Sequence, residues 1–295
     1  MIFSLRRREY ISYARSPRFV FSMTVGMRID IILFVSDSAT IYKNRNERNT
    51  SSQRQGKEYT LPIVRLHRFY ARNAICLDKD NTLSDTELAH QLRRVFRLQT
   101  GDKAIFFDGS GPEYVSEIVS LGKDEVVFRA LETRPVQHVP RRNVAVALAT
   151  IKKDNFEWAV QKCTEIGATE FIPVISERSE KKGINVERVR KIMIEACEQS
   201  GRGDIPTLRE PILLQDFLDA ESRPMIAFHT DGATADIRSM VKDDIVACVG
   251  PEGGWADAEI ELFEKKGATL AHLDLPVLRA ETAAIVIATL FLYRS

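Results

Sequence analysis

The sequence has few of the features that mark several common classes of protein. Its four cysteines, Cys76, Cys163, Cys197 and Cys248, lie far apart and form no Cys-x-x-Cys pair. That spacing argues against a disulfide framework or a zinc site, fits a reducing compartment and predicts a cytoplasmic location. No apolar run approaches the roughly 18 residues that a membrane-spanning helix needs. The five histidines do not pair at ligand spacing, so a metal-dependent hydrolase has little support and no bound metal is expected.

Two phosphate-binding motifs are also missing. The chain has neither G-x-x-x-x-G-K-[ST] nor G-x-G-x-x-G, which argues against a P-loop or a dinucleotide-binding fingerprint. The net charge of +1 is small, but it divides into +7 for residues 1–65, +1 for residues 66–142 and −7 for residues 143–295. Any nucleic-acid surface in the compact part must therefore come from local clusters of basic residues.

The first 65 residues differ in composition from the rest of the chain. Residues 43–58 contain no aliphatic or aromatic side chain, which predicts disorder because such a segment cannot offset its ordering entropy. Residues 1–25 are rich in arginine and serine, as organellar transit peptides are. We favour instead a dispensable or non-native extension, including one produced by an upstream start codon. Within residues 1–65, only residues 26–40 have a composition that suits a strand.

Residues 66–138 have the pattern of a small β-barrel with one helix. IFFDGSGPEYVSEIVSL predicts two strands around a Gly-Pro turn, and DEVVFRAL predicts a third. Ser84 is the predicted cap of a helix whose apolar positions are Leu88, Leu92, Val95 and Phe96. This helix would carry Arg93 and Arg97 on one face, which is either solvated or contacts phosphates. The segment RPVQHVPRRN predicts a linker.

Residues 139–295 alternate between strand and helix patterns. Strands are predicted over VAVALAT, EFIPVI, MIAFH, DIVACVG and TLAHLDL, and helical patterns lie between most of them. Gly167 is expected to end one helix and Gly267 another. Such alternation predicts an α/β domain around a largely parallel sheet. In these sheets ligands bind beyond the carboxyl ends of the strands, where His229 to Gly232, Gly250 to Gly254 and Leu275 to Glu281 fall.

Each of these loops also has an ordinary structural interpretation. Taken alone, Gly250-Pro251-Glu252-Gly253-Gly254 is more often a tight turn than a ligand site. His229 at a strand end is usually a hydrogen-bonded loop residue. Glu281 in a first helical turn interacts favourably with the helix dipole. Arg279 is the better functional candidate, because a cation at a helix start is disfavoured by that dipole.

Taken together, the motifs resemble one family. The chain contains, in this order, the segments LHRFY, AHQLRRVFRLQTGDKAIFFDG, IKKDNFEWAVQKCTEIGATEFIPVISERS, EACEQSGR, VGPEGGW and VLRAETAA. In these segments and their order it resembles the bacterial small-subunit ribosomal RNA uracil-N3 methyltransferases, the methyltransferase E family of the SPOUT class. The resemblance covers residues 66–295. It implies a PUA-like β-barrel followed by an α/β trefoil-knot domain, S-adenosylmethionine as cofactor, and a homodimer. It also implies methylation of N3 of a specific uridine in small-subunit ribosomal RNA, with the RNA or the assembled subunit as partner.

The resemblance also implies roles for individual residues. Those expected to line the cofactor pocket are His229, Thr230, Val249, Gly250, Glu252, Gly253, Leu273, Leu275, Pro276 and Leu278. Arg279 and Arg68 are candidates to stabilise the uracil anion, and Glu281, Glu252 or His229 could accept the proton. The expected RNA contacts are Arg68, Arg72, Arg93, Arg94, Arg97, Arg141 and Arg142. One position departs from the family, because Asp274 stands where a glycine is common.

Two other functions stay open at this point. A SPOUT methyltransferase could instead act on a base or a ribose 2′-hydroxyl of transfer RNA, since a fold does not fix its substrate. The chain could also be a non-catalytic ribosomal RNA-binding assembly factor. The intact GPEGG and LRAETA segments count against that second alternative.

Overall fold

The structure is a computed structural model that describes residues 66–136, 142–180, 183–234, 240 and 242–293. The predictions of disorder and of a strand within residues 1–65 lie outside this range. The predicted boundary between residues 138 and 139 also falls outside it. No helix in the described ranges is both long and apolar enough to cross a membrane.

The first domain, residues 66–136, is built on one sheet. Its strands are β1 Arg68–Tyr70, β2 Asp80–Leu83, β3 Lys103–Phe107, β4 Glu113–Leu121 and β5 Val126–Arg134. They follow the order β1-β3-β4-β5-β2, with β1 and β3 parallel and the other neighbours antiparallel. The predicted strands on both sides of the Gly-Pro turn are confirmed as β3 and β4, and the third predicted strand as β5.

The helix of the first domain differs from its prediction in three ways. Helix α1, Thr86–His90, continues as a π-helical turn over Gln91–Val95. Its cap is Asp85, whose Oδ1 accepts a hydrogen bond from the Leu88 amide at 3.0 Å, so the prediction of Ser84 was wrong. Val95 is 65% exposed, because the wider π turn rotates it away from the core. Arg97 lies beyond the helix with a φ of 57°, and so does not continue the helical face of Arg93.

The second domain, residues 142–293, confirms the predicted alternation. Its elements are β6 Asn143–Ala149, α2 Lys153–Ile166, β7 Glu170–Ile175, α3 Val186–Ser200, β8 Thr207–Leu208, β9 Ile212–Leu213, α4 Leu214–Ala220, β10 Met225–Thr234, β11 Asp244–Val249, α5 Asp257–Lys265, β12 Thr269–His272 and α6 Ala280–Tyr293. The strand order is β12-β10-β11-β6-β7-β8, with β9 also paired to β7. All pairs described in this sheet are parallel.

Both faces of this sheet are buried, as its strand composition requires. Val144, Val146 and Leu148 of β6 point to one face, where α2, α3 and α6 pack. Ala145, Ala147 and Ala149 point to the opposite face, where α4 and α5 pack. Helix α2 ends at Gly167, which takes a left-handed φ of 110°, as predicted for a C-terminal glycine. This sandwich leaves the carboxyl ends of β10, β11 and β12 together at one edge.

Candidate functional site

A cavity of about 510 Å³ opens at the carboxyl ends of β10, β11 and β12. Its size is typical of a site for a small organic ligand. The lining residues are Phe228, His229, Thr230, Val249, Gly250, Pro251, Glu252, Gly254, His272, Leu273, Leu275, Pro276, Val277, Leu278, Arg279, Ala280, Ala283 and Ile287. The wall therefore combines aliphatic side chains with a few polar groups and backbone.

The irregular end of β10 forms one wall of the cavity. The pairing of β10 with β12 changes register between Phe228 and Ala233, so His229 and Thr230 leave the ladder. A break of this kind turns side chains away from regular sheet positions and toward an adjacent site. Sequence position alone predicted that these two residues follow a strand, but not that the register shift directs them to a cavity.

The GPEGG loop after β11 is shaped by the indole of Trp255. A Cβ on Gly250 would lie 3.2 Å from the nearest ring atom of Trp255, so this position has room for no side chain unless the ring moves. The indole Nε1 donates a hydrogen bond to the Phe228 carbonyl at 3.2 Å, which ties the β11 loop to the end of β10. Gly254 has a φ of 67°, a conformation that favours glycine.

Two charged residues hold the same loop from outside. Arg178 Nη1 donates to the carbonyls of Gly253 and Trp255, at 2.8 and 3.2 Å. The buried Glu259 carboxylate accepts from the amides of Glu177 and Ala256, at 2.7 and 2.9 Å. None of the three supporting residues Arg178, Trp255 and Glu259 was predicted from the sequence, although Arg178 lies in ISERS and Trp255 in VGPEGGW.

The loop between β12 and α6 forms the outer rim. Leu275 is 50% exposed and Val277 is 87% exposed, although both line the cavity. Asp274 is exposed, does not line the cavity and does not have a positive φ. Because glycine is required only where φ is positive or space is lacking, Asp274 fits this backbone without strain.

Helix α6 begins at the cavity and brings two predicted catalytic residues to its first turn. Arg279 lines the cavity and is exposed, and within the described residues its guanidinium has no carboxylate partner. Glu281 is 6% exposed and does not line the cavity, and its Oε2 finds no hydrogen-bond donor in the described part of the chain. Two titratable groups, Glu252 and His229, also reach the cavity wall. His272 lines it as well, with a buried Nδ1 that lacks a partner among the described residues.

Most of the residues predicted for the cofactor line this cavity. These are His229, Thr230, Val249, Gly250, Glu252, Leu273, Leu275, Pro276 and Leu278. Gly253 does not line it and instead lies against the Arg178 side chain, 3.3 Å from the position of a Cβ. The lining residues that the sequence did not predict include Ala283 and Ile287, which come from α6.

The predicted RNA contacts occupy different environments. Arg72, Arg94 and Arg97 are exposed, and Arg72 has a long contact of 3.6 Å with Asp85. Arg93 is half-buried and donates to the Ala89 carbonyl at 3.3 Å. A further contact, Arg142 Nη1 to the Phe291 carbonyl at 3.1 Å, places a cation at the carboxyl end of α6. Arg141 lies outside the described residues.

Arg68 does not line the cavity. Its Nε donates to Oε1 of the buried Glu113 at 2.6 Å, and the guanidinium lies against Gly201 at the start of the loop after α3. This arrangement directs the charge of Arg68 to a carboxylate within the protein.

Three of the four cysteines are buried, and Cys76 is exposed. Burial raises the pKa of the Cys163 and Cys197 thiols to about 12, and raises that of Cys248 further. Such thiols are poor nucleophiles at neutral pH. In the described ranges no group of three or more His, Cys, Asp or Glu side chains is placed to hold a metal ion.

Comparison with known proteins identifies the family. A family described as an RNA methyltransferase domain matches residues 138–292, and one described as an RNA methyltransferase PUA domain matches residues 83–131. Ribosomal RNA small subunit methyltransferase E of Rickettsia conorii is 30% identical over 228 residues, which cover 75% of this chain and 93% of that protein. The chain belongs to the ribosomal RNA small subunit methyltransferase E family. The Synechocystis methyltransferase E is 34% identical over 215 residues, 70% of each chain.

Solved structures are consistent with membership of the methyltransferase E family. A methyltransferase from Legionella pneumophila in complex with S-adenosylmethionine has a TM-score of 0.72 and 29% identity, covering 77% of this chain and 97% of its own. Methyltransferase E from Neisseria gonorrhoeae, bound to S-adenosylmethionine, has a TM-score of 0.69 and 27% identity, covering 76% and 95%. The predicted fold, a PUA-like domain followed by a SPOUT trefoil-knot methyltransferase domain, is confirmed.

Proposed function

We propose that the cavity binds S-adenosylmethionine and that the chain methylates N3 of a specific uridine in small-subunit ribosomal RNA. The observation that supports this best is the cavity at the ends of β10, β11 and β12, with Arg279, which has no carboxylate partner among the described residues, at its edge. The two solved relatives named above hold S-adenosylmethionine. The name of the Rickettsia and Synechocystis relatives supplies the substrate class.

The residues of the cavity suit this cofactor. Gly250 leaves room for the Trp255 indole behind the loop, and the loop backbone at the cavity wall can bind an adenine or ribose. Leu273, Leu278 and Ile287 supply aliphatic surface. Polar groups of Thr230, Glu252 and His272 can fix orientation. The cavity as a whole is lined by nine of the ten residues proposed for cofactor binding, and Gly253 would act through the backbone of the same loop.

The bound cofactor supplies an electrophilic methyl group, and the chain must supply an anionic uracil. Loss of the N3 proton spreads negative charge over the carbonyl oxygens of the base. Arg279 is placed at the cavity, where a fixed cation would stabilise that charge as it develops. Glu252 and His229 lie on the same wall and are candidates to accept the proton. Glu281, whose buried Oε2 has no hydrogen-bond partner in the described part of the chain, is a candidate to act beside Arg279 at the start of α6.

The exposed arginines of the first domain are the proposed contacts to RNA phosphates. Arg94 lies on the π-helical turn and Arg97 follows it, whereas Arg72 lies in the loop after β1 and has one long contact with Asp85. The second domain is acidic by sequence and would repel RNA phosphates. We therefore expect faster methylation of an assembled small subunit than of short transcripts. A ribosomal substrate also implies a cytoplasmic location. The exposed apolar rim at Leu275 and Val277 is a surface that a second copy of the chain could cover in a homodimer.

The test is a methylation assay on small ribosomal subunits that lack native uridine methylation. Protein and S-adenosylmethionine are added, and the digested RNA is analysed by mass spectrometry for 3-methyluridine. We expect a cofactor-dependent 3-methyluridine peak. A different methylated nucleoside would overturn the uridine assignment. Folded protein that binds the cofactor but yields no product would favour a non-catalytic assembly factor.

The same assay measures the proposed role of Arg279. We expect Arg279→Ala to lower kcat by about a hundredfold, the usual loss for removal of one group that stabilises developing charge. Arg279→Lys should recover part of that rate, because it restores the charge but not the planar fork. Arg190→Ala is the matched control, since Arg190 pairs with Glu187 on the exposed side of α3. Wild-type turnover in Arg279→Ala would remove Arg279 from the mechanism.

A further inference from the structure

The two domains meet along an interdomain seam formed by β1 and residues 109–111 of the first domain and residues 198–204 of the second, and a Lys191–Glu87 ion pair at 2.8 Å adds a separate contact. The Tyr70 amide donates a hydrogen bond to Glu198 Oε1 at 2.9 Å. The Gly111 amide donates to the Gly203 carbonyl at 3.2 Å. Gly109 and Ser110 both form β-bridges with Asp204. A loop of one domain and a loop of the other are thus joined by backbone pairing.

Glycine allows the seam to close. A Cβ on Gly203 would lie 1.9 Å from the Gly111 carbonyl oxygen, so no other residue fits without separating the two loops. A Cβ on Gly201 would lie 3.3 Å from Cζ of Arg68. These contacts give a physical reason for the small residues in the segment Glu198-Gln199-Ser200-Gly201-Arg202-Gly203.

Both sides of the seam are anchored in their own domains. On the first-domain side, Arg68 of β1 pairs with Glu113 of β4, and Glu113 is 5% exposed. On the second-domain side, Arg202 is 3% exposed and donates to the carbonyls of Thr164 and Ala168, at 2.9 and 2.7 Å. Arg202 also pairs with Asp204. Each side of the seam is therefore held in place by a charge pair within its own domain.

We propose that Glu198 is a positioning residue for the RNA substrate. By accepting the Tyr70 amide, it fixes β1, and with it the arginines of the first domain, relative to the cofactor cavity. The inference rests on the proposed function, because it concerns how RNA held by one domain reaches a cavity in the other. Glu198 touches neither the cavity nor the exposed arginines, so its effect passes through strand β1.

The position of Glu198 distinguishes it from an ordinary surface carboxylate. Desolvation raises the pKa of its carboxyl to about 7. The charged group that acts on it is Glu195 on its own helix, and the Arg68–Glu113 and Arg202–Asp204 pairs lie elsewhere along the seam. Burial of the Glu198 carboxyl costs free energy, and its carboxylate accepts a hydrogen bond from the Tyr70 amide. We therefore expect Glu198 to act through that hydrogen bond.

The first experiment separates positioning from cofactor binding. Glu198→Ala, Glu198→Gln and the control Glu195→Gln are compared in affinity for S-adenosylmethionine, and in kcat and KM for small ribosomal subunits. We expect Glu198→Ala to raise KM for subunits about tenfold, the equivalent of one lost hydrogen bond, with cofactor affinity within twofold of wild type. Glu198→Gln should recover wild-type KM, because its amide oxygen still accepts from Tyr70. Glu195, one turn away and exposed, should tolerate the change.

Two results would overturn the inference. One is an unchanged KM and kcat in Glu198→Ala, and the other is a loss of cofactor affinity as large as the loss for subunits. Glu198→Asp provides a second variant if Glu198→Ala fails to fold, since a shorter carboxylate keeps the charge but loses reach. We expect it to behave like Glu198→Ala.

A distance measurement tests the seam without any activity. Spin labels are placed at Lys123→Cys in the first domain and Asp216→Cys in the second, both exposed positions. Cys76 is replaced by serine because it is the exposed cysteine among the described residues, whereas the other three are buried. Labelled chain is diluted with unlabelled chain so that distances within one chain dominate. Glu198→Ala should broaden the distance distribution and Glu198→Gln should not. An unbroadened distribution refutes the seam role even if methylation itself is never detected, whereas an inactive wild type with a broadened Glu198→Ala distribution refutes only the proposed function.

Discussion

The indole of Trp255 is the residue on which the cavity wall depends most directly. It is 2% exposed, fills the space beside Gly250, contacts Phe263 at a ring-centroid distance of 5.0 Å and bonds the Phe228 carbonyl. One side chain thus connects the β11 loop, the end of β10 and helix α5. Its position explains why the glycine loop has a defined shape without help from a bound ligand.

Trp255→Phe tests this connection at the residue scale. The phenyl ring keeps part of the packing but loses the hydrogen bond to Phe228 and leaves a small void, so we expect a loss of about 2 kcal/mol in the free energy of unfolding. The altered wall should also lower S-adenosylmethionine affinity about tenfold, measured by calorimetry. Trp158→Phe on α2, where Trp158 is 44% exposed, is the control and should cost under about 1 kcal/mol. Wild-type cofactor affinity in Trp255→Phe would show that the indole does not shape the site.

The cavity residues that lie within short sequence motifs could be predicted from the sequence. The residues that hold those loops in place from elsewhere in the chain could not. Gly250, Leu278 and Arg279 lie in short motifs at strand ends, and a rule of α/β sheets places such ends together. Arg178 acts on the β11 loop from 75 positions earlier in the chain, and Glu259 reaches back to Glu177 over 82 positions. No local pattern encodes those distances. For the same reason Arg68 was predicted to contact RNA, whereas its guanidinium faces Glu113.

At the scale of elements, long periodic segments were predictable and short ones were not. Helices α2 and α3 have buried stripes and end at glycines with left-handed φ, so sequence and structure agree on them. Strands β8 and β9 have two residues each and exist because they pair with β7. Helix α4 has seven residues, too few for a clear period. These elements depend on tertiary contacts that a local pattern does not contain.

The start of α1 gives a direct test of a corrected prediction. Asp85 caps the helix through the Leu88 amide, whereas no cap hydrogen bond is made by the neighbouring Ser84 in the described structure. Loss of an N-cap side chain costs about 1 kcal/mol, so Asp85→Ala should lower the free energy of unfolding by that amount in urea denaturation. Ser84→Ala should change it by less than about 0.5 kcal/mol. Equal losses in the two variants, or a larger loss in Ser84→Ala, would restore Ser84 as the cap.

At the scale of the whole molecule, two buried or half-buried carboxyl groups, Glu221 and Glu198, affect the pH dependence of stability in opposite directions. Glu221 lies near the amino-terminal edge of the parallel sheet, where Arg223 bonds it at 2.7 Å and also contacts Glu170 of β7. The hydrogen bonds from Arg223 lower the pKa of the Glu221 carboxyl to about 2. Glu198, at the seam, has a pKa that burial raises to about 7. One carboxyl is stabilised in its charged form and the other in its neutral form.

The two groups predict a stability maximum in mildly acidic solution. The unfolded carboxyl pKa is 4.5 for both. For Glu221 the stabilisation is complete above pH 4.5 and is lost as pH falls toward 2, because the unfolded chain then binds more protons. For Glu198 the folded chain binds more protons between pH 4.5 and 7, so stability falls as pH rises through that window. The contributions of these two groups therefore place the maximum of stability at about pH 5.

Urea denaturation from pH 3 to pH 8 measures both limbs. We expect Glu198→Gln to flatten the loss above pH 5, because glutamine stays neutral and still accepts from Tyr70. That loss in the wild type should be on the order of 2 kcal/mol, less than the full shift implies because the carboxyl keeps some solvent contact. Glu221→Gln should flatten the acid limb and leave the upper limb unchanged. If Glu198→Gln instead kept the wild-type slope between pH 5 and pH 7, proton uptake in that window would belong to other groups. The Glu198 carboxyl would then be ionised at neutral pH, and its bond to the Tyr70 amide would hold the two domains together as a charged acceptor.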